Sequence, residues 1–352
     1  PTPQSRVVNR VLIECVPNFS EGRDQSVIDR ITRPIIDAVG VDLLDIDMGY
    51  DFNRTVVTMV GEPEAVLKAV IDCTSIAVDL IDMRNHTGEH ARMGAVDVVP
   101  FIPLSGSTMD DCVILSQRYA EAVSELLGLS VYLYAEAARK VERIRLPDIR
   151  KGEYEGMEKK ISSEGWEPDY GPTIFNPSTG VTATGARQIL IAYNVNLDTK
   201  DKKIANSIAS MIRTSGALVR DENGDKIIAE DGKPLRTPGV FQSLQAAGWM
   251  YDEDTAQVSM NLLDHSVTGL HDVTEAIRIE ANNLGHSVIA SELVGLVPLN
   301  AMLSAGKKYL RDTEGVDEIE LVNAAINGLS LDKFGEFDPQ TSIIEWAINR
   351  GD

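Results

Sequence analysis

The sequence predicts an α+β fold made of two tandem copies of one β-α-β-β-α-β unit, and three observations carry that expectation. The order of strand-like and helix-like segments in the first half recurs in the second. The length of 352 residues suits two domains at roughly 100–200 residues each. Apolar residues at 43% and charged residues at 25% are ordinary globular values, so each half can bury a core.

In the first half, Val11–Cys15 reads as a short apolar strand. Asp24 caps a helix whose apolar positions Val27, Ile28, Ile31, Ile35 and Ile36 follow the helical period, and Gly40 stops it. Pro34 removes a hydrogen bond inside that pattern and is expected to kink it. Val41–Asp47 is a strand, Gly49-Tyr50-Asp51 a turn, and Arg54–Val60 a second strand. Pro63 opens a long helix with Val66, Leu67, Val70, Ile71, Ala77 and Ile81 on one face. A loop carrying His86 and His90 then leads into a buried strand, Ala95–Phe101.

The second half repeats the order with strand Gln188–Asn196, helix Lys203–Thr214, strands Phe241–Trp249 and Ala256–Leu263, helix Asp272–Leu284 and strand Ser287–Ala290. Helices on one face of a mostly antiparallel sheet in this order are the ferredoxin-like arrangement. The predicted fold is therefore a tandem duplication, residues 1–187 and 188–352, the second ending in a helical tail. Sheet faces left bare by the helices are expected to face each other across a ligand cleft.

Between the halves come a helix from Met109 to Leu126, a strand at Val131–Tyr134 and a polar connector, Ile149–Tyr170. The stretch Gly171–Gly185 is too rich in Gly, Pro, Ser and Thr for helix or regular strand and reads as a structured loop. Its plain role is an interdomain linker, but Phe175 and the hydroxyls around it also suit the wall of an aromatic heterocycle site. In Ala217–Pro238, Asn223-Gly224 predicts a two-residue hairpin turn within an exposed, charged excursion.

The 33 basic against 54 acidic residues leave a formal charge of −21, which repels phosphate backbones and argues against nucleic acid as a partner. An anionic small molecule needs local cations, and Arg54, Arg92, Arg187 and Lys159-Lys160 are the candidates. No apolar run approaches the roughly 18 residues of a membrane span, and Pro1–Arg10 lacks a signal-peptide layout. Cys15, Cys73 and Cys112 are too few for a disulfide framework or a cysteine metal site, which fits a cytoplasmic protein. Walker and dinucleotide glycine motifs are missing, which disfavours an ATP-driven reaction. The sequon asparagines Asn18, Asn53 and Asn85 read as turn or ligand-contacting amides.

The richest stretch is Arg84-Asn-His-Thr-Gly-Glu-His-Ala-Arg-Met-Gly94, where two of five histidines sit four residues apart beside Glu89 and Arg92. Imidazole both takes and gives a proton near neutrality, so the pattern suits general acid/base work. His86-Thr87-Gly88-Glu89-His90 also fits the H-x-x-E-H pattern of inverted zinc peptidases. That reading needs a helix to stack the histidines, and Gly88, Gly94 and the strand after them predict a loop instead. A structural role for both histidines is the third reading.

Glu14-Cys-Val-Pro-Asn-Phe-Ser-Glu-Gly22, Asp45-Ile46-Asp47 with Asn53-Arg54-Thr55-Val56, the block His86–Asp97 and Ala183-Thr184-Gly185-Ala186-Arg187 resemble the glutamate formimidoyltransferase family, from about residue 11 to about residue 310. The resemblance implies a homodimeric, tetrahydrofolate-dependent transferase of histidine breakdown that needs no metal. It places the catalytic histidine at His90 and an acidic partner at Asp47, with Asn18, Ser20, Arg54 and Arg92 lining the site. Its folate-contacting loop maps onto Gly171, Pro172, Thr173, Ile174, Phe175, Asn176, Pro177, Ser178, Thr179 and Gly180. The sequence departs by a longer excursion at Ala217–Pro238 and by ending before any cyclodeaminase domain, so a separate downstream cyclodeaminase is expected.

The implied reaction moves a formimino group from N-formimino-L-glutamate to N5 of tetrahydrofolate. One imidazole, His90, can take the N5 proton and return it to the departing amine. Asp47 can stabilise a cationic donor or orient His90, while Arg54 and Arg92 can hold carboxylates of the donor or the folate tail. Formiminoglycine as donor, a zinc hydrolase, and a folate-binding protein without turnover are the alternatives.

Overall fold

A computed structural model describes residues 11–348, so the reading of Pro1–Arg10 lies outside the described residues. The chain divides into two units between Gln188 and Ile189. No helix among the described residues is long and apolar enough to cross a membrane.

The first unit opens with β1 (Ile13–Cys15) and β2 (Asn18–Phe19), followed by helix α1 (Gln25–Asp37) and strands β3 (Val41–Gly49) and β4 (Arg54–Gly61). Helix α2 (Pro63–Leu80), β5 (Val96–Pro103), α3 (Met109–Leu127) and β6 (Ser130–Ala135) come next. Two short helices, α4 (Leu146–Arg150) and α5 (Glu153–Ile161), precede β7 (Val181–Ala186). Strands β1 and β2 share one lane between β4 and β5, interrupted at Val16-Pro17, where proline has no N–H to give the ladder. The strand order is β3-β4-β1/β2-β5-β7-β6, antiparallel up to β5 and parallel beyond it.

Two expectations about the first unit are corrected here. Gly171–Gly185 is not loop throughout, because Val181–Ala186 is a fully buried strand between β5 and β6. Its composition misleads because the polar groups are satisfied inside: the Thr182 and Thr184 hydroxyls each donate at 2.7 Å to carbonyls of Val96 and Val99. The helices also do not keep to one face. Ile28, Ile31 and Ile35 of α1 pack with Val70, Cys73, Leu115 and Tyr119 against Val57, Val99, Val131 and Leu133. Ile149, Met157 and Ile161, from α4 and α5, cover the alternate residues Val98, Tyr132, Tyr134 and Ala183 on the other side. Strand periodicity of two makes both sets core, and each fully buried aliphatic side chain contributes about 1.5–3 kcal/mol.

Helix ends follow their caps. The Asp24 carboxylate accepts from Ser26 N–H at 2.9 Å at the start of α1, which runs through Pro34 to Asp37. Thr108 and Asp111 form a reciprocal capping box on α3, and Gly128 ends it at φ 68°.

The second unit contains β8 (Ile191–Leu197), α6 (Lys202–Ile212), the short pair β9 (Ala217–Leu218) and β10 (Arg236–Thr237), β11 (Leu244–Met250) and β12 (Ala256–Leu262). Helix α7 (Leu270–Asn283), β13 (Val288–Val294) and helices α8 (Leu299–Tyr309), α9 (Glu318–Leu329), α10 (Pro339–Ser342) and α11 (Ile344–Ala347) complete it. The sheet order is β11-β12-β8-β13, all antiparallel. That is the order of β3-β4-β1-β5 in the first unit. Ile191, Tyr193, Val195 and Leu197 alternate into its core.

The excursion turns at Asp221–Asp225, where Asp221 N–H donates to Asp225 O at 2.9 Å and Gly224 lies at φ 84°. Only the glycine is left-handed, so this is a three-residue loop rather than the two-residue turn that Asn223-Gly224 suggested.

Candidate active site

The hairpin joining β3 to β4 turns at Asn53, which adopts φ 47°, a left-handed conformation that asparagine tolerates better than bulkier residues. From there it ties three distant segments together. Its side-chain oxygen accepts from Gly22 N–H at 2.9 Å, and its amide nitrogen donates to Thr87 O at 3.0 Å. Its backbone carbonyl lies 2.8 Å from His86 Nε2. The histidine segment is loop, as its glycines predict. Gly88 lets it press on the hairpin, since a Cβ there would stand 2.2 Å from the Phe52 carbonyl oxygen.

His86 is buried and both ring nitrogens are engaged. Arg92 Nε donates to its Nδ1 at 3.2 Å, so Nε2 carries the proton and donates to Asn53 O. Burial holds its pKa below the ordinary value, with the Asn53 carbonyl opposing and the Arg92 charge adding to the depression. The helix-face pairing a zinc peptidase needs is therefore not formed.

Arg92 has all five of its N–H groups engaged. Besides His86 Nδ1, they reach the His86 carbonyl at 3.3 Å, Glu153 at 3.2 Å, and Glu155 at 3.0 and 2.7 Å. Tyr154 lies under the guanidinium, 5.7 Å from its ring centre. Arg92 thus bolts the histidine loop to α5, and in this arrangement no donor remains for the ligand carboxylate expected of it.

His90 is held differently. Its Nδ1 lies 2.6 Å from the Ala91 carbonyl, which accepts only, so Nδ1 carries the proton. Its Nε2 then accepts from Arg54 Nη1 at 2.6 Å, the same Nη1 standing 3.2 Å from Nδ1. Phe52 closes one side edge-on, ring centres 6.1 Å apart. Burial, and next the Arg54 charge, push its pKa below the ordinary value. The neutral base form prevails at pH 7.

Around this pair lie Arg150 of α4 and Asp97 of β5, which form a buried ion pair, with Met93 N–H donating to Asp97 at 2.8 Å. Burial, then the Arg150 charge, lower the pKa of Arg54. Asp47 sits exposed on β3, where its charge acts on Arg54. The orienting contact at His90 Nδ1 comes from the Ala91 carbonyl rather than from Asp47.

The remaining candidates fall into two groups. Asn18 and Ser20 are buried and serve the backbone: Asn18 donates to Val16 O at 3.0 Å and Ser20 Oγ to Gly94 O at 2.7 Å. The Gly171–Gly180 loop runs beside the histidine loop. Met83 N–H donates to Ser178 O at 2.9 Å, Ala95 N–H to Thr179 O at 2.9 Å and Val181 N–H to Met93 O at 3.0 Å. Gly180, at φ 63°, makes this approach possible because a Cβ would stand 2.2 Å from Met93 O. Phe175 is half-buried with its ring centre 5.5 Å from Tyr154, while Gly171, Pro172, Thr173, Ile174, Asn176 and Pro177 are exposed.

Lys160 is taken up by the carbonyls of Asp148, Ile149 and Lys151, and Arg187 donates to Gln188 O. Sequence reasoning missed Phe52, Asp97, Arg150, Glu153, Tyr154 and Glu155, and saw Asn53 only as a turn or contact amide.

Comparison with known proteins gives two family matches: "Formiminotransferase domain, N-terminal subdomain" over residues 12–187 and "Formiminotransferase domain" over residues 192–349. A glutamate formimidoyltransferase of Streptococcus pyogenes serotype M1 is 40% identical over 301 residues, covering 85% of this chain and 93% of the relative. One of Thermoplasma acidophilum is 39% identical over 309 residues, covering 87% and 94%. The formimidoyltransferase-cyclodeaminase of Rattus norvegicus is 45% identical over 341 residues, 96% of this chain, which spans 60% of that relative's length.

Proposed function

Because the chain belongs to the formiminotransferase family, we propose that it transfers the formimino group of N-formimino-L-glutamate to N5 of tetrahydrofolate, giving 5-formiminotetrahydrofolate and L-glutamate. The observation that carries the chemistry is the placement of the His90 ring, whose Nδ1 lies 2.6 Å from the Ala91 carbonyl and whose Nε2 lies 2.6 Å from Arg54 Nη1, a group that also stands 3.2 Å from Nδ1. In this reading Nε2 takes the proton from N5 as the tetrahedral adduct forms, then delivers it to the amine nitrogen as that bond breaks. Asp47 stabilises the cationic amidine from the exposed strand, and the Phe175 loop forms part of the folate wall. Tetrahydrofolate is co-substrate, and the assembly is a homodimer. The shared strand order of the two sheets supports reading them as a tandem ferredoxin-like duplication, the first enlarged by β6 and β7.

Purified protein given tetrahydrofolate and N-formimino-L-glutamate is expected to release L-glutamate in step with formiminotetrahydrofolate, followed by mass spectrometry. A parallel reaction with formiminoglycine ranks the donors by kcat/KM. Absence of glutamate release, or activity abolished by a chelator, would overturn the reading.

A further inference from the structure

The His90 surroundings carry a charge imbalance that the proposed reaction leaves unexplained. The groups facing the ring are Arg54 from β4, Arg150 from α4, Asp97 from β5, the Ala91 carbonyl and the Phe52 ring. Two guanidiniums thus stand against one buried carboxylate, Asp97, and one exposed one, Asp47, whose charge reaches Arg54 from β3. Both Asp97 oxygens are engaged, one by Met93 N–H and the other by Arg150. Arg150 keeps a buried Nε that meets no hydrogen-bond acceptor. Arg54, half-buried, makes no ion pair with any described residue and spends Nη1 on an uncharged ring nitrogen. A desolvated guanidinium is better satisfied by a carboxylate, which accepts two parallel charge-assisted bonds.

We propose that Arg54 and Arg150 form a binding site for a carboxylate of the amino-acid donor, and that filling it draws Arg54 off His90 Nε2 and frees the base. This rests on the reading of His90 as the proton carrier. Without donor, the Arg54 hydrogen bond caps the lone pair. When the carboxylate arrives, that bond is exchanged for one to an anion, and Nε2 becomes available to the incoming nucleophile. No covalent change is needed. The donor is a better source of the carboxylate than the folate tail for a geometric reason. Its α-carboxylate is joined through one carbon to the nitrogen that departs, so it must lie close to the reacting centre. The tail carboxylates of folate are separated from N5 by the whole aminobenzoyl group.

Binding of L-glutamate alone, measured by calorimetry without folate or turnover, tests the site directly. Arg150→Gln and Arg54→Gln are each expected to weaken glutamate binding about 10- to 100-fold, the usual worth of a hydrogen-bonded charge pair, and to leave folic acid binding within about twofold. In the native protein, saturating glutamate is expected to shift the 15N resonance of His90 Nε2, and in Arg54→Gln to leave it in place. Arg54→Gln also guards against misfolding of Arg150→Gln, because Arg54 supports no ion pair. Native-like glutamate binding by Arg54→Gln, or losses confined to folic acid, would overturn the proposal. Neither result touches the transferase reading, which depends on product formation.

Discussion

His86 and His90 stand four residues apart on one loop, yet the structure makes opposite uses of them. His86 is closed: Arg92 fills Nδ1 and Asn53 takes the Nε2 proton, so the ring serves as a joint between hairpin and loop. His90 is half-open: its Nδ1 proton is fixed on a carbonyl, and its Nε2 meets a side chain that can move. Both rings are made less basic by burial, so burial does not distinguish them. What does is which nitrogen carries the proton and whether the other is committed to a rigid partner. A histidine held at both ends by committed partners is structure, and one whose second partner can be exchanged can work.

The widest separation between the two is expected in turnover. His90→Ala should lower kcat by roughly 10²–10⁴-fold with folate affinity little changed, as loss of a general acid/base does. His86→Ala should cost less than about tenfold in kcat and instead lower stability by about 1–3 kcal/mol, because it strands Arg92 Nε and the Asn53 carbonyl. Steady-state kinetics and urea unfolding on the same preparations separate the two effects. Equal losses of activity from both substitutions would break the comparison.

Asn53→Ala sharpens it. The substitution removes the bonds to Gly22 and Thr87 and puts a less tolerant residue at φ 47°. A stability loss of about 2–3 kcal/mol is expected in urea unfolding, together with a fall in kcat smaller than that of His90→Ala.

The contrast extends to pH, with smaller effects. With neutral His90 as the proposed base, kcat/KM should rise with pH through a midpoint below the ordinary histidine value of about 6.5 and flatten above it. Arg54→Gln removes a repelling charge and should move that midpoint up. For stability the sign is the same for both rings. Their folded pKa values lie below the unfolded one, so the stabilisation is full above about pH 6.5 and is lost as pH falls through the folded values.

Much of this was legible in the sequence because the signals were local. The Asp24 cap, the Pro63 start, the alternation through Tyr193 and Val195 and the glycines flanking His90 each act within a few residues. The misses were partnerships across long separations. Arg92 meets Glu153 and Glu155 from 61 and 63 residues away, so its commitment could not be seen from its two-residue distance to His90. Arg150 meets Asp97 across 53 residues from inside a polar connector. Strand β7 was hidden by its threonines, whose hydroxyls are satisfied 85 and 86 residues away in β5.

The most direct test of the opposed uses of the two histidines is a long-range 1H–15N NMR correlation of their ring nitrogens at pH 7 in the ligand-free protein. His90 is expected as the neutral Nδ1–H tautomer and His86 as the neutral Nε2–H tautomer, each with its second nitrogen acting as acceptor. A cationic His90, or both rings carrying the proton on the same nitrogen, would contradict the account.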